Sequence, residues 1–265
     1  MATAPQPQLP LFYQDLMPLN SRDHGDFKSR MSDSAPWLAT QHAIPLTVEE
    51  FPQAQRHYPI IFSAGEDPVP LALMGLNEGV NVFVGEDGKL TDRVYLPAYV
   101  RRYPWILARL QPDSDVLSLC FDPTIDVVGE FDEGNPLFDG EETTDHTKSI
   151  LEFCQRFEEA GQKTKLLVEE LKKHDLLMDG EAAIAGQDQP DRPFIYRGFQ
   201  MVNEEKLRDM RGDTLRSWNQ NGMIAIIFAH LFSMDNMRDI FARQVEQGRA
   251  PQPQANIPDV PASSV

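Results

Sequence analysis

Apolar residues recur at alternating three- and four-residue steps through Ile150, Phe153, Phe157, Ala160, Thr164, Leu167 and Leu171, the period of a helix with one buried face. Asp145 stands where such a helix would be capped. Upstream, the apolar runs are shorter and predict strands: Ile60-Ile61-Phe62, positions 69–76, Asn81-Val82-Phe83-Val84 and positions 116–121. Acidic or glycine-bearing turns at Glu66-Asp67, Glu86-Asp87-Gly88 and Asp113 to Asp115 separate them. Leu46-Thr47-Val48-Glu49-Glu50-Phe51 reads as a helix start, with Thr47 and Glu50 at capping-box spacing and Leu46 and Phe51 at staple spacing. That helix must end at His57-Tyr58-Pro59, because the residue before a proline is pushed out of the helical region. The stretch from Arg56 to Phe62 lines up with Arg101 to Leu107, 45 residues later, either as a duplicated helix–strand–turn–strand unit or as two coincident Tyr-Pro strand entries.

Beyond Leu177 the period changes, and 182–185, 194–196 and 199–202 predict short strands. Asn203 opens a helix with Glu204 and Glu205 in its first turn. A second helix runs from Asp213 to the Asn221-Gly222 stop, and a very apolar third from Met223 to about Arg243. The expectation is an α+β fold whose N-terminal half is strand-rich with short helices and whose C-terminal half is helical. Segments 1–10 and 249–265 are rich in Pro, Gln and Ala without periodicity and read as disordered tails, leaving one domain over 11–248.

Composition narrows the function. Of 265 residues, 41 are acidic and 24 are Lys or Arg, a net charge of −17 that repels phosphate backbones and argues against a nucleic-acid partner. The stretch from Ser217 to Met234 has no formal charge, but Asn219, Gln220, Asn221 and His230 interrupt it, so its apolar part is too short for a transmembrane segment and a permease is excluded. Residues 1–10 lack both a basic start and an apolar run, so no ordinary secretory signal is expected and a cytoplasmic location follows. Cys120 and Cys154, the only cysteines, lie in apolar patterns and read as buried thiols rather than a disulfide. From Asp122 to Asp145 there are nine carboxylates and no Lys or Arg, a solvated loop or, on the sharper reading, a calcium site, although the spacing is not that of an EF-hand.

Several phrases occur together and in order: His57-Tyr58-Pro59-Ile60-Ile61-Phe62, Leu73-Met74-Gly75-Leu76, Tyr95-Leu96-Pro97-Ala98-Tyr99-Val100-Arg101-Arg102-Tyr103-Pro104, Pro136-Leu137-Phe138-Asp139, Gly198-Phe199-Gln200-Met201-Val202-Asn203 and Ala229-His230-Leu231-Phe232-Ser233. Their order and wording resemble the bacterial SapC family from about Leu9 to Phe241, with Tyr-Val-Arg-Arg-Tyr-Pro the most specific piece. The resemblance, with the lack of a nucleophile–base or metal constellation in the sequence, leads to the expectation of an accessory or binding protein, linked by its family name to crystalline surface layers; no cofactor is expected. Where members of the family often carry an aromatic residue after the Asp-Gly turn and a Phe after Arg-Arg-Tyr-Pro, this chain has Leu90-Thr91-Asp92 and Trp105.

Arg101, Arg102 and Tyr103 are the foremost ligand-binding candidates, because adjacent guanidinium groups in an acidic protein can hold a carboxylate or phosphate while tyrosine adds a hydroxyl. The same arginines can instead pair internally with some of the many acids; on that reading Arg102 anchors the fold and Arg101 faces a ligand. His57, Tyr58 and His230 join the candidate set, with a hydrogen-bonded core role as the alternative for each histidine. The competing class is a metal-dependent enzyme of the non-haem iron type, in which His24 and Asp26 form a His-x-Asp pair completed by a distant histidine such as His57 or His230. Partners compatible with the leading reading are a protein or peptide, a small anionic ligand, and a second copy of the chain through an apolar helical stripe.

Overall fold

The computed structural model describes residues 9–110, 116–184 and 193–251. The expected tails therefore fall almost wholly outside the described residues, as do the turn at Asp113 to Asp115 and the last residue of the strand expected over 182–185. Along the chain the elements run β1 (Met17–Pro18), α1 (Ser21–His24), β2 (Lys28–Ser29), β3 (Ala43–Pro45), α2 (Phe51–Ala54), β4 (Ile60–Ser63), β5 (Pro70–Leu73), α3 (Ala98–Arg102), β6 (Trp105–Arg109) and β7 (Leu117–Phe121). They continue with β8 (Val128–Gly129), β9 (Asn135–Pro136), β10 (Phe138–Asp139), β11 (Glu142–Thr143), α4 (Asp145–Lys173), β12 (Leu177–Ile184), β13 (Phe194–Val202), α5 (Glu204–Arg208), α6 (Gly212–Gln220), α7 (Met223–Ser233) and α8 (Asn236–Glu246). This is the expected α+β class. Among the described residues no helix is long and apolar enough to cross a membrane.

The chain groups into two compact units, one from the segments up to Asp33 and Arg101–Glu158, the other from Ser34–Val100 and the residues from Glu159 onward. In the first unit β1, β7 and β6 form an antiparallel sheet with Trp105 opposite Phe121, β8, β2 and β9 form a second, and β10 and β11 a hairpin. Trp105, Leu107, Phe121, Val128, Leu137, Phe138 and Cys154 make its core, and Ile150 and Leu151 of α4 pack against them. Trp105, one of the two departures from the family wording, is thus a core residue.

The second unit is built on a five-stranded antiparallel sheet in the order β12-β13-β4-β5-β3. Every residue of β4 and β5 is buried, as expected of central strands covered on both faces. The pairing of β12 with β13 shifts at Gly180, where a Cβ would lie 2.1 Å from the ring of buried Phe199; only glycine admits that ring. α7 packs against β4, β13 and α2, and α8 against β12. Gln244 of α8 is fully buried, its Oε1 accepting from Leu76 N–H at 3.0 Å and its amide donating to Asn77 at 2.6 Å.

Three local expectations are corrected. Asn81-Val82-Phe83-Val84 is a loop, not a strand: the Asn81 amide donates to the Leu38 and Gln41 carbonyls and its Oδ1 accepts from Phe83 N–H, so a side chain satisfies the backbone that a strand partner would have met. The helix expected from Met223 to about Arg243 is two helices. Ser233 turns its hydroxyl inward to Ile60 N–H, and the chain passes through Met234 and Asp235 on three-residue backbone bonds before α8 begins. The cap of α4 is Thr144, whose Oγ1 accepts from Thr147 N–H at 3.3 Å, rather than Asp145. Both helix–strand–strand units aligned in the sequence do fold in that order, α2-β4-β5 and α3-β6-β7, each with an antiparallel strand pair.

We expect residues 11–248 to resist proteolysis as one cooperative domain. Limited digestion followed by mass analysis should trim 1–10 and 249–265 first; early cutting near Asp139 into two independently stable fragments would show two domains instead.

Candidate functional site

The Tyr-Val-Arg-Arg-Tyr-Pro phrase is held in place by two buried carboxylates. Glu50 ends the capping box: its Oε2 accepts from Thr47 N–H and Oγ1 at 2.8 and 2.9 Å. Its Oε1 accepts from Tyr95 Oη at 3.0 Å and from Ala98 N–H, the first residue of α3, at 2.6 Å. Four donors satisfy a side chain that is 5% exposed, so the capping residue of one helix also caps the next. In the first unit, Asp122 does the corresponding work after the phrase. It accepts from Tyr103 Oη at 3.3 Å, Gln14 N–H at 2.7 Å, and Thr124 N–H and Oγ1 at 2.9 and 2.6 Å. Burial, followed by the negative charge of Asp122, raises the Tyr103 pKa above its ordinary value, so the phenol stays protonated and donates.

The two arginines part company. Arg102 is buried, its guanidinium 3.1 Å from Glu158 Oε1 and 4.1 Å from the centroid of Phe157. Burial pushes the Glu158 carboxyl up while Arg102 pulls it down. Arg101 is exposed and lies 5.3 Å over the ring of Phe153. Cys154 and Cys120 are free, buried thiols, and burial pushes Cys154 up to about 12.

Tyr58 is fully buried and donates to Tyr95 O at 2.7 Å, while His57 beside it is half-buried and its pKa is lowered by burial and by Arg56. His230 is also fully buried. Its Nε2 accepts from Val202 N–H at 3.1 Å, which places the ring proton on Nδ1, and Nδ1 donates to Ile60 O at 2.6 Å. Burial holds this imidazole neutral, pushing its pKa down to about 4 against the bond to Ile60. His24 is buried, with Nδ1 accepting from Asn20 N–H at 3.2 Å and Nε2 3.2 Å from Met17 Sδ, whereas Asp26 is exposed. Both ring nitrogens of His24 thus face internal partners, and among the described residues no three His, Cys, Asp or Glu side chains gather as a metal-ligand group.

Sequence reasoning missed a broad, open depression of about 930 Å³ in the first unit, lined by Ser29, Arg30, Met31 and residues 130–135. Ser29 of β2 and Asn135 of β9 contribute to its lining, and strands of two residues leave no periodicity to read. Gly134 lets β9 approach β2, since at φ 138° a Cβ there would meet Ser29 O at 2.8 Å. Arg30 lies 4.1 Å over Phe131 and pairs with Asp126, and Ser29 Oγ is 2.6 Å from His146 Nε2. Met31 stands 92% exposed at the rim. The one available signal was the Gly134-Asn135-Pro136 turn inside the acidic stretch.

The fold and this arrangement define an α+β protein whose signature phrase is anchored internally and which presents an open concave surface on short strands and loops. The chain belongs to the SapC family, whose model matches residues 19–240. No match is found to a curated protein or to a solved structure.

Two predictions follow from the buried charges. Arg102→Ala leaves Glu158 without its cation and should cost about 3 kcal/mol, since Glu158 is partly solvated, whereas Arg101→Ala should stay within roughly 0.5 kcal/mol; thermal melts of the two variants check this. For His230, the unfolded chain binds a proton below about pH 6.5 that the folded chain refuses until about pH 4. Stability is therefore full above pH 6.5 and falls through that window, by on the order of 3 kcal/mol from this group. Urea titrations from pH 7 to 4 should show the slope, and His230→Gln should flatten it while lowering stability at pH 7.

Proposed function

We propose that this SapC-family chain is an accessory binding protein that engages a protein or peptide partner through the depression of the first unit. The observation that carries this reading is Met31, a flexible thioether almost fully in solvent beside the Arg30–Phe131 stack, above a surface too broad and open for a small molecule to be enclosed. Glu130, Asp132 and Glu133 on the same rim favour a basic partner segment with one apolar anchor. The family's link by name to surface layers makes a component of such a layer the first partner to test. A cytoplasmic location would place that contact before export. A second reading, an anionic ligand, rests on Arg101, whose exposed guanidinium is backed by Phe153.

A photo-reactive amino acid at position 31, introduced in the native host, should give a defined protein adduct. The adduct should be lost when Phe131→Ala or Arg30→Glu is added and kept with Arg101→Ala. No adduct above that from an exposed control position such as 178 would reject the depression, and loss with Arg101→Ala alone would favour the anionic reading.

A further inference from the structure

α7 is amphipathic in an unusual sense: it has no charged residue, and it is buried on one side only. Ile227, Ala229, His230 and Ser233 are buried, and His230 and Ser233 bond to the sheet. On the other side Ile224, Phe228 and Phe232 follow one another at four-residue spacing, and Phe232 is 68% exposed with its ring 5.6 Å from that of Phe228. Ile224 and Phe228, with Leu207 of α5 and Leu215 of α6, line an apolar groove of about 300 Å³, edged by Glu204 and Arg208. The helix thus carries a groove at its N-terminal end and a projecting ring at its C-terminal end.

Ile224 and Phe232 are each four residues from Phe228. A two-fold axis passing beside Phe228 and perpendicular to α7 would exchange them, laying Phe232 of each copy into the other's groove with the helices antiparallel. Such a surface is complementary to itself, which is what an isologous contact requires. Charge points to the same occupant. The chain carries −17, yet residues 203–249 hold seven acids and seven bases, so the excess acid lies entirely elsewhere. This charge-balanced region is where a second acidic copy meets least repulsion, and the Glu204–Arg208 pair at 2.6 Å puts both signs on the rim. We infer that the outer face of α7, with Phe232 seated in the groove of Leu207, Leu215, Ile224 and Phe228, is the interface of a symmetric homodimer.

This dimer goes beyond the partner-binding reading and uses the other unit, so the two stand or fall separately. Sedimentation equilibrium of the full chain should give twice the 30.0 kDa chain mass at micromolar concentration. Phe232→Asp should return it to the monomer mass, weakening association at least a hundredfold, with an unchanged far-UV spectrum because the residue is mostly in solvent. Raising NaCl from 50 to 500 mM should tighten the dimer, since salt screens repulsion between the two acidic bodies while leaving the apolar contact intact. A wild-type monomer at 100 µM, a dimer indifferent to Phe232→Asp, or a dimer loosened by salt would each overturn the inference. So would a monomer whose binding to phosphatidylcholine vesicles disappears with Phe232→Asp, which would make α7 a lipid-facing helix.

Discussion

The second unit turns on an imidazole that stands where a rung of β-sheet should be. β4 and β13 pair at Phe62 with Gln200 and at Ser63 with Phe199, so two positions further along the same register Ile60 stands opposite Val202. There the strands do not meet directly. His230 reaches in from α7, takes the Val202 N–H and gives its own proton to the Ile60 carbonyl, while Ser233 from the same helix accepts from Ile60 N–H at 2.8 Å. One helix turn therefore closes the hydrogen bonding of two strands and pins itself to the sheet by the same bonds. The arrangement requires a neutral ring with one donor and one acceptor, and the apolar setting of α7 keeps it so. The phrase Ala229-His230-Leu231-Phe232-Ser233 is thus a structural clamp, and its break of the helix after Ser233 is part of the same device.

A similar economy governs the buried charges. Glu50 and Asp122 are each surrounded by four donors drawn from backbone, hydroxyl and phenol groups. Neither relies on an arginine or lysine. Burying a carboxylate this way costs less than leaving it bare because every lone-pair direction is used, and each anion fixes the path of two separate chain segments. Arg102 is the converse case, a buried cation beside the partly solvated carboxylate of Glu158 and the face of Phe157. Family wording that looks like a ligand-binding arginine pair is, for its second member, the means of holding a helix end in place.

Those parts of the molecule governed by local rules could be read directly. The capping box at Thr47 and Glu50, the long stripe of α4 and the apolar runs of β4, β5 and β7 all depend on spacing within a few turns or strand lengths. The contrast between a buried Arg102, beside Tyr103, and an exposed Arg101 agrees with the reading of Arg102 as the internal member of the pair. What escaped depends on contacts distant in sequence. The loop at Asn81 reads as a strand until its amide is seen bound to carbonyls some forty residues earlier. The depression escaped because its two-residue strands are defined by their partners alone. His24 and Asp26 differ in setting: their spacing suggests a ligand pair, while the His24 ring is buried against Asn20 and Met17 and Asp26 is exposed.

Both cysteines, Cys120 and Cys154, belong to the first unit, and the second has none among the described residues. Burial pushes the Cys154 thiol up to about 12, so at neutral pH it stays protonated. In the native state it is therefore nearly inert toward alkylating reagents, for want of both access and thiolate. Once exposed to water it regains the reactivity of an ordinary cysteine. The chain thus contains its own chemical clock: the rate at which this thiol is trapped measures how often the core around Cys154 opens.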